Sequence, residues 1–265
     1  MAGTEISDRL AEAIEAHRPV ALATVIEGPG VGGKLLVDGD AVLGSLGDGD
    51  LDRVVARDAR GEIAAGTTGV RHYGEHGESR VDAAVSVFIE TFAPPAEMLI
   101  FGAVDFTAAL VRVAKILGYR VTVCDAREVF ATKKRFPFAD EVVVDWPNRL
   151  LDRVGSQLGP RDAVCVLTHD AKFDVPAILA ALATDVGYIG AMGSRRTHED
   201  RVARLRAEGL DDASLARVMA PIGLDLGART PEETAVAIVA EIIALRTGRT
   251  GAVAPLRDES GPIHR

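Results

Sequence analysis

From residue 96 onward, the sequence alternates short apolar runs, rich in Val and Ile, with longer segments of helical spacing. Strands are predicted for EMLIFGA, YRVTVCD, ADEVVVDW, DAVCVLTHD and DVGYIGAM, and helices for TAALVRVAKILG, VPAILAALA and RTHEDRVARLRAEG. Parallel strands need long crossover connections, usually helices, which bury both faces of the sheet. The alternation therefore predicts an α/β fold, with a Rossmann-like, mostly parallel sheet that carries helices on both faces.

The first 95 residues follow a different pattern. KLLVDGDAVLGSL places an Asp38-Gly39 turn signal between two apolar runs, which is typical of a hairpin. LDRVVARDA predicts a short helix, and SRVDAAVSVFIETF predicts a long strand that ends before Pro94-Pro95. We therefore predict a smaller α+β domain over residues 1–95, the Rossmann-like domain over residues 96–250, and a flexible tail over residues 251–265.

Composition excludes several classes of function. The net charge is −9, and the acidic excess lies mainly in the first 95 residues. Arg127, Lys133, Lys134 and Arg135 are the only hint of the basic stripe that nucleic-acid binding needs. Because charge runs are usually solvated faces, we expect no nucleic-acid partner. The sequence contains no run of about 18 apolar residues, so it predicts no membrane-spanning helix. The N-terminus has no basic and apolar leader, so we expect a cytoplasmic protein. Cys124 and Cys165 fall inside apolar strands and are predicted to be buried hydrophobic residues.

Ligands of such sheets bind beyond the carboxyl ends of the strands. The first strand ends at Gly102, but a dinucleotide fingerprint would need a second glycine where Val104 stands. Asp105 adds a negative charge at the helix start, where it can cap free N–H groups but opposes a phosphate. Asp125 ends the next strand and could hold a ribose, which leaves an NAD(P)-dependent oxidoreductase as an alternative.

Three further strand ends carry polar residues. Thr168, His169 and Asp170 end the fourth strand, although Asp170 could simply cap the next helix. Gly193, Ser194 and Arg195 follow the fifth strand and combine close backbone approach, a cap and a forked donor suited to phosphate. Before the last helix, the candidate binding residues are Gly223, Asp225, Gly227, Arg229 and Thr230. Thr230 and Glu233 predict a capping box there.

VLTHD, YIGAMGSRRT, RLRAEGL and APIGLDLGARTPEETAVAIVAEI together resemble the XdhC/CoxI family of accessory proteins for molybdenum hydroxylases. The resemblance is dense over residues 97–248. RPVALATVI and LLVDGDAVLGSLGDGD resemble the family's smaller N-terminal domain more weakly. The resemblance implies a chaperone that binds molybdenum cofactor, supports its sulfuration with a cysteine desulfurase, and delivers it to an apo-enzyme such as xanthine or carbon monoxide dehydrogenase.

On that interpretation, Gly193, Ser194 and Arg195 would hold the phosphate of the pterin cofactor. His169, Asp170 and Asp225 would orient the polar edges of the pterin, and Arg229 would neutralise charge. The chain would then be a maturation factor rather than a metabolic enzyme, and it could form a homodimer.

The chain departs from the family pattern at its N-terminal thiols. Where the family has Gly-Ser-Leu-Gly-Gly-Gly-Cys, this chain has Asp48 and Asp50 at the fifth and seventh positions. The family's Cys-Gly-Gly is also absent near Val81-Asp82-Ala83. These changes leave open a third alternative, a partner-binding member of the family without cofactor chemistry.

Overall fold

The computed structural model describes residues 2–78, 84–168 and 170–249. The chain divides into two compact units, Met1–Pro94 and Pro95–Arg265, one residue from the predicted boundary. The second part of the predicted long strand is strand β5 below, whereas its residues 79–83 lie outside the described part of the chain.

The first unit contains a five-stranded sheet in the order β3-β2-β1-β5-β4, and all of its pairs are antiparallel. Its strands are β1 (Val20–Glu27), β2 (Lys34–Asp38), β3 (Ala41–Ser45), β4 (Gly69–Tyr73) and β5 (Val85–Phe92). β2 and β3 form the predicted hairpin. β4 was not predicted, because Val70 is the only apolar residue among its three exposed central positions and they give no apolar run. The structure confirms the predicted smaller α+β fold.

Two helices cover the faces of this sheet. Helix α1 (Ala2–Glu15) packs on one face through Ile6 and Ala13, and helix α2 (Gly49–Ala65) packs on the other through Leu51. α2 is longer than predicted. Asp48 accepts hydrogen bonds from the N–H groups of Asp50 and Leu51 at its start, and a left-handed Gly66 ends it.

The second unit contains a six-stranded, wholly parallel sheet in the order β11-β10-β9-β6-β7-β8, which confirms the predicted parallel sheet. Its strands are β6 (Glu97–Phe101), β7 (Arg120–Cys124), β8 (Glu141–Val143), β9 (Ala163–Val166), β10 (Tyr188–Ala191) and β11 (Val218–Met219). β11 was not predicted because two residues are too few to show a period.

Helices lie on both faces of this sheet, as predicted. They are α3 (Asp105–Ile116), α4 (Pro147–Val154), α5 (Ala171–Leu182), α6 (Arg195–Ala207), the short α7 (Asp212–Ala216) and α8 (Pro231–Arg246). Alternate residues of β6 serve the two cores. Met98 packs in the core with α3 and α8, whereas Leu99 packs in the core with α4, α5 and α6. This alternation is the expected consequence of side chains pointing to opposite faces along a strand.

The strand order reverses between β6 and β9. From β6 the chain proceeds to β7 and β8 on one side, then crosses to β9, β10 and β11 on the other. In open α/β sheets, ligands bind in the crevice at such a switch point. The loops after β6 and β9 are therefore where a ligand site is expected on this sheet. Among the described residues, no helix is long and apolar enough to cross a membrane.

Candidate functional site

The loops that follow the parallel strands lie side by side at one edge of the sheet. Backbone hydrogen bonds join neighbouring chain segments just beyond the strands: Leu167 N–H to Phe101 O (2.8 Å), Gly102 N–H to Cys124 O (2.9 Å), Met192 N–H to Val166 O (2.8 Å) and Ile222 N–H to Ala191 O (3.1 Å). The predicted residues after β6, β7, β9, β10 and β11 are therefore brought to one edge.

Gly102, in the loop after β6, approaches the loop after β9 closely. Its φ is +110°, and a Cβ at this position would lie 2.9 Å from the backbone nitrogen of Thr168. Only glycine fits this combination of left-handed backbone and close approach. Gly102 and Thr168 also line a small pocket with Asp125 and Phe173.

The carboxylate of Asp125 is buried and bound to its own chain. One oxygen accepts from the N–H of Ala103 at 2.8 Å, and both oxygens accept from the guanidinium of Arg127 at 2.7 and 2.9 Å. Burial by itself would raise the pKa of Asp125, but the hydrogen bonds from Arg127 and Ala103 outweigh it and lower the pKa. These bonds use the oxygens that a ribose would need, so the geometry favours a structural role for Asp125.

Asp170 is the N-cap of α5. Its side chain accepts from the N–H of Lys172 at 3.1 Å, and its own N–H donates to the hydroxyl of Thr168 at 3.2 Å. The alternative that Asp170 caps the next helix is thus confirmed. His169, between these two residues, lies outside the described part of the chain.

The turn between β10 and α6 contains the residues that the sequence analysis predicts for an anion site. Gly193 has a φ of +151°, and Ser194 is the N-cap of α6, accepting from the N–H of Thr197 at 3.1 Å. Arg195 is the first residue of the helix, and its side chain is exposed. Within the described part of the chain, the guanidinium of Arg195 has no hydrogen-bond partner or ion pair.

The loop after β11 is fixed to α8 by Gly223. Its φ is +94°, and a Cβ there would lie 3.2 Å from the backbone of Ala237 and Ile238. The N–H of Gly223 donates to the carboxylate of Glu241 at 2.9 Å, and the hydroxyl of Tyr188 donates to the same oxygen at 2.6 Å. Sequence reasoning missed Glu241, which anchors this loop from within the helix.

Farther along the loop, Asp225, Gly227 and Arg229 are exposed. The capping box at α8 is confirmed, because Thr230 accepts from the N–H of Glu233 at 3.2 Å and Glu233 accepts from the N–H of Thr230 at 3.1 Å. The backbone N–H of Arg229 also donates to Glu233. The side chain of Arg229 remains available to solvent.

Asp105 does not cap α3, contrary to the expectation from its position. It is the first residue of the helix rather than its N-cap, and its side chain is 92% exposed. Val104 is the N-cap and offers no side-chain acceptor. The carboxylate of Asp105 instead lies 3.5 Å from the guanidinium of Arg135.

A buried ion pair lies behind the turn between β10 and α6, and sequence reasoning missed it. Arg201 of α6 and Asp174 of α5 are 2% and 3% exposed, and their side chains meet at 3.1 Å. Arg201 also donates to the carbonyl of Met192 at 2.6 Å. Its spacing of four from the buried Leu205 is the sequence signal that places Arg201 on the inner face of the helix.

The cysteines are buried, as predicted. Both thiols are free, and Cys124 and Cys165 are 0% exposed. Burial raises the pKa of the Cys124 thiol to about 12 and raises the pKa of Cys165 well above its usual range. Thiols in this state are poor nucleophiles. Across the described residues, no group of three or more His, Cys, Asp or Glu side chains could hold a metal ion.

In the first unit, the Gly-Ser-Leu-Gly-Asp-Gly-Asp stretch runs from the end of β3 into the start of α2. Asp48 caps the helix and also pairs with the imidazole of His76 at 2.9 Å. His72 lies in β4. A carboxylate therefore occupies a helix start in the stretch where the resemblance leads one to expect a thiol. The second expected thiol position, near Val81-Asp82-Ala83, is outside the described residues.

Comparison with known proteins decides the family. A family model described as the XdhC Rossmann domain matches residues 98–242, and one described as the XdhC and CoxI family matches residues 13–74. The chain belongs to the XdhC family. The Rossmann match covers the sheet and the loops at its carboxyl edge, and so confirms the family that the sequence motifs indicated.

Relatives of this XdhC-family chain include two proteins with informative names. A Bacillus subtilis protein named as a probable xanthine dehydrogenase subunit is 34% identical over 165 residues, which cover 62% of this chain and 47% of the relative. The molybdenum cofactor insertion chaperone PaoD of Escherichia coli is 32% identical over 91 residues, which cover 34% of this chain and 29% of the relative. The chain thus spans less than half the length of these relatives.

A solved structure shares the fold. A crystal structure described as a xanthine dehydrogenase from Bacillus halodurans has a TM-score of 0.53 and 23% sequence identity, and the match covers 94% of this XdhC-family chain and 98% of that one. At this level of identity the likeness concerns the fold alone.

Proposed function

We propose that this chain is an accessory protein that binds molybdenum cofactor and assists its sulfuration and insertion into a molybdenum hydroxylase of the xanthine or carbon monoxide dehydrogenase type. Membership of the XdhC family and the likeness to a molybdenum cofactor insertion chaperone support this proposal. On this view the chain carries and hands over a cofactor and is not itself a metabolic enzyme.

The geometry of the turn between β10 and α6 is the main structural support for this proposal. A pterin cofactor of this type bears a phosphate, and the turn presents Gly193, the cap Ser194 and the exposed Arg195 at the carboxyl edge of a parallel sheet. Helix N-termini at such edges bind phosphate through backbone N–H groups and the helix dipole. The residues present therefore fit a phosphate, and Arg195 would add a forked donor from the solvent side.

The other candidate residues would serve the remainder of the ligand. Gly102 and Thr168 line the small pocket at the switch point, where the close backbone approach shapes its floor. Asp170 and Asp225 would accept hydrogen bonds from the pterin edge, and Arg229 would neutralise charge from the rim. The role of His169 stays a prediction from the sequence.

An NAD(P)-dependent oxidoreductase is the second candidate, and the geometry of Asp125 opposes it. A ribose-binding carboxylate needs free oxygens, whereas Asp125 is 5% exposed and its oxygens accept hydrogen bonds from Ala103 and Arg127. The side chain of Val104 also stands where a pyrophosphate would have to approach the backbone closely. We therefore expect weak or absent NAD(P)H binding.

The partners of the proposed role follow from the family. We expect an apo-form of the molybdenum hydroxylase and a cysteine desulfurase as protein partners, a cytoplasmic location, and a homodimer as the assembly to look for. A family member that only binds partners is the third alternative, and the carboxylate cap at Asp48 favours it. Because the described thiols are buried, we expect the sulfur to come from the desulfurase rather than from this chain.

One experiment separates the three alternatives. The purified full chain is incubated under anoxic conditions with molybdenum cofactor released from a molybdenum hydroxylase, and bound pterin and molybdenum are measured after gel filtration. The same preparation is titrated with NADPH by calorimetry. Stoichiometric cofactor binding without NADPH binding supports the proposal. NADPH binding with a dissociation constant of about 1 μM or tighter would move the oxidoreductase to first place, and binding of neither would favour the partner-binding role.

A further inference from the structure

Four consecutive backbone N–H groups lie open at the start of α6. Within the described part of the chain, the N–H groups of Gly193, Ser194, Arg195 and Arg196 have no acceptor, and the cap hydroxyl of Ser194 takes the N–H of Thr197 instead. A helix start leaves such donors unpaired by its geometry, and a run of them forms a concave site for an anion.

Arg201 lies directly behind this turn. A Cβ on Gly193 would come within 3.5 Å of Nη2 of Arg201, so the missing side chain of Gly193 leaves the guanidinium next to the turn. Nη2 donates to the carbonyl of Met192 and to the carboxylate of Asp174. The guanidinium thereby connects the turn to the first turn of α5.

The guanidinium of Arg201 has donors left over. The residue is 2% exposed, yet its Nε and Nη1 atoms are buried and have no hydrogen-bond partner among the residues that the structure describes. Leaving a buried donor of a charged group unpaired is costly, so native proteins rarely do so without a ligand, ion or water to meet it. A buried cation with two unused donors beside four open amides points to an anionic ligand with several oxygens.

His198 lies one turn before Arg201 on α6, and its buried Nδ1 has no hydrogen-bond partner among the described residues. Burial lowers the pKa of His198, and the charge of Arg201 lowers it further. The imidazole is therefore neutral near pH 7 and can offer a hydrogen bond, while Arg201 supplies the charge.

We propose that the N–H groups of residues 193–196 and the guanidinium of Arg201 form a binding site for a tetrahedral oxyanion, filled in the functional complex by the phosphate group of the ligand. This inference rests on the proposed function only for the identity of that ligand. It assigns to Arg201 a buried positive charge behind the phosphate, in addition to the exposed Arg195 in front of it.

Substitutions of Asp174 and of Arg201 should change the phosphate affinity in opposite directions. Its carboxylate shares Arg201 with the anion, so it repels the anion and competes for the guanidinium. Asp174→Asn keeps the shape of the side chain and removes that charge, and we expect it to tighten oxyanion binding. Arg201→Met removes the cation, and we expect it to weaken binding about 10- to 100-fold, the effect of one charged hydrogen bond. Damage to the fold would weaken binding in both variants.

The experiment is a calorimetric titration of the full chain with inorganic phosphate at constant ionic strength, with chloride as the blank. The matched control is Arg204→Met, because Arg204 lies on the same helix with an exposed side chain. We expect saturable binding in the wild type and in Arg204→Met, weaker binding in Arg201→Met, and tighter binding in Asp174→Asn. Circular dichroism of each variant reports whether the fold is kept.

If Arg201→Met does not fold, the pair variant Asp174→Leu with Arg201→Met replaces both buried charges, a change that cores often tolerate. Wild-type phosphate affinity in that folded variant would overturn the inference, as would a wild type that does not bind phosphate at all. The proposed function is tested separately by molybdenum cofactor. Cofactor binding without phosphate binding would refute only the oxyanion site, whereas Arg201-dependent phosphate binding without cofactor binding would refute only the proposed function.

Discussion

The carboxylate of Asp125, at the end of β7, accepts a hydrogen bond from the backbone N–H of Ala103 in the turn after β6, at 2.8 Å. The same carboxylate is held by the guanidinium of Arg127. Asp125 therefore fixes the turn at the centre of the crevice from the neighbouring strand. A residue in the place of a ribose acceptor serves here as a brace for the backbone.

Replacing this brace should destabilise the second unit. Asp125→Asn removes the charge that Arg127 and Ala103 share in a buried setting, and we expect a loss of about 2 kcal/mol in the free energy of unfolding. Urea unfolding followed by circular dichroism measures it. Asp105→Asn is the control, because that carboxylate is 92% exposed and should change stability little. Equal effects of the two substitutions would show that Asp125 is not the brace described here.

The contribution of Asp125 should also depend on pH in a defined direction. Hydrogen bonds that outweigh the effect of burial lower the pKa of Asp125 in the folded state. Such a group stabilises the fold above the unfolded-state pKa of about 3.9 and loses that contribution as the pH falls through the lower folded value. The difference in unfolding free energy between wild type and Asp125→Asn should thus be constant near pH 7 and shrink below about pH 4. A difference that grows with acid would contradict this assignment.

Gly102 should not tolerate a side chain. Gly102→Ala meets both a positive φ and the backbone nitrogen of Thr168 at 2.9 Å, and we expect a loss of about 3 kcal/mol. Gly118 has a similar φ of +82°, but a Cβ added there would have no neighbouring atom within 4 Å, so Gly118→Ala should cost only about 1 kcal/mol. Thermal unfolding of the two variants separates close approach from backbone strain. Equal losses of stability in the two variants would mean that the loop after β9 moves to accommodate a Cβ at Gly102 without a further cost in stability.

The sequence predicted those features that a local pattern encodes. The strand-and-helix alternation predicts a parallel sheet, because the segments between the strands are long and carry apolar residues at helical spacing. The capping box of Thr230 and Glu233 is equally local, since it lies within four residues of sequence. β11 was not predicted, because two residues are too few to show a strand periodicity. The roles of Asp125 and of the buried Arg201 could not be predicted from the sequence. Their partners, Ala103 and Asp174, are 22 and 27 residues away along the chain, and only the fold brings them together.

The two thiols should be inert in the folded chain. Cys124 and Cys165 are wholly buried, and burial raises the pKa of Cys124 to about 12, so little thiolate exists near pH 8. We expect no modification by iodoacetamide at pH 8 in the native state and two modifications in guanidinium chloride, counted by mass spectrometry. Rapid native labelling of either cysteine would contradict the expectation that the sulfur comes from the desulfurase rather than from this chain.

Arg195→Ala should weaken cofactor binding without affecting the fold. The side chain of Arg195 is exposed and has no partner among the described residues, so its loss should leave the unfolding temperature unchanged. The loss of one charged hydrogen bond to phosphate should lower the affinity for molybdenum cofactor about 10- to 100-fold.

Arg196→Ala is the internal control for that prediction, because neighbouring residues at a helix start point in different directions and cannot both face one phosphate. Affinity is measured by retention of pterin and molybdenum on gel filtration. Equal retention by wild type and Arg195→Ala, at an unchanged unfolding temperature, would remove Arg195 from the site and make Arg229 the next exposed arginine to test.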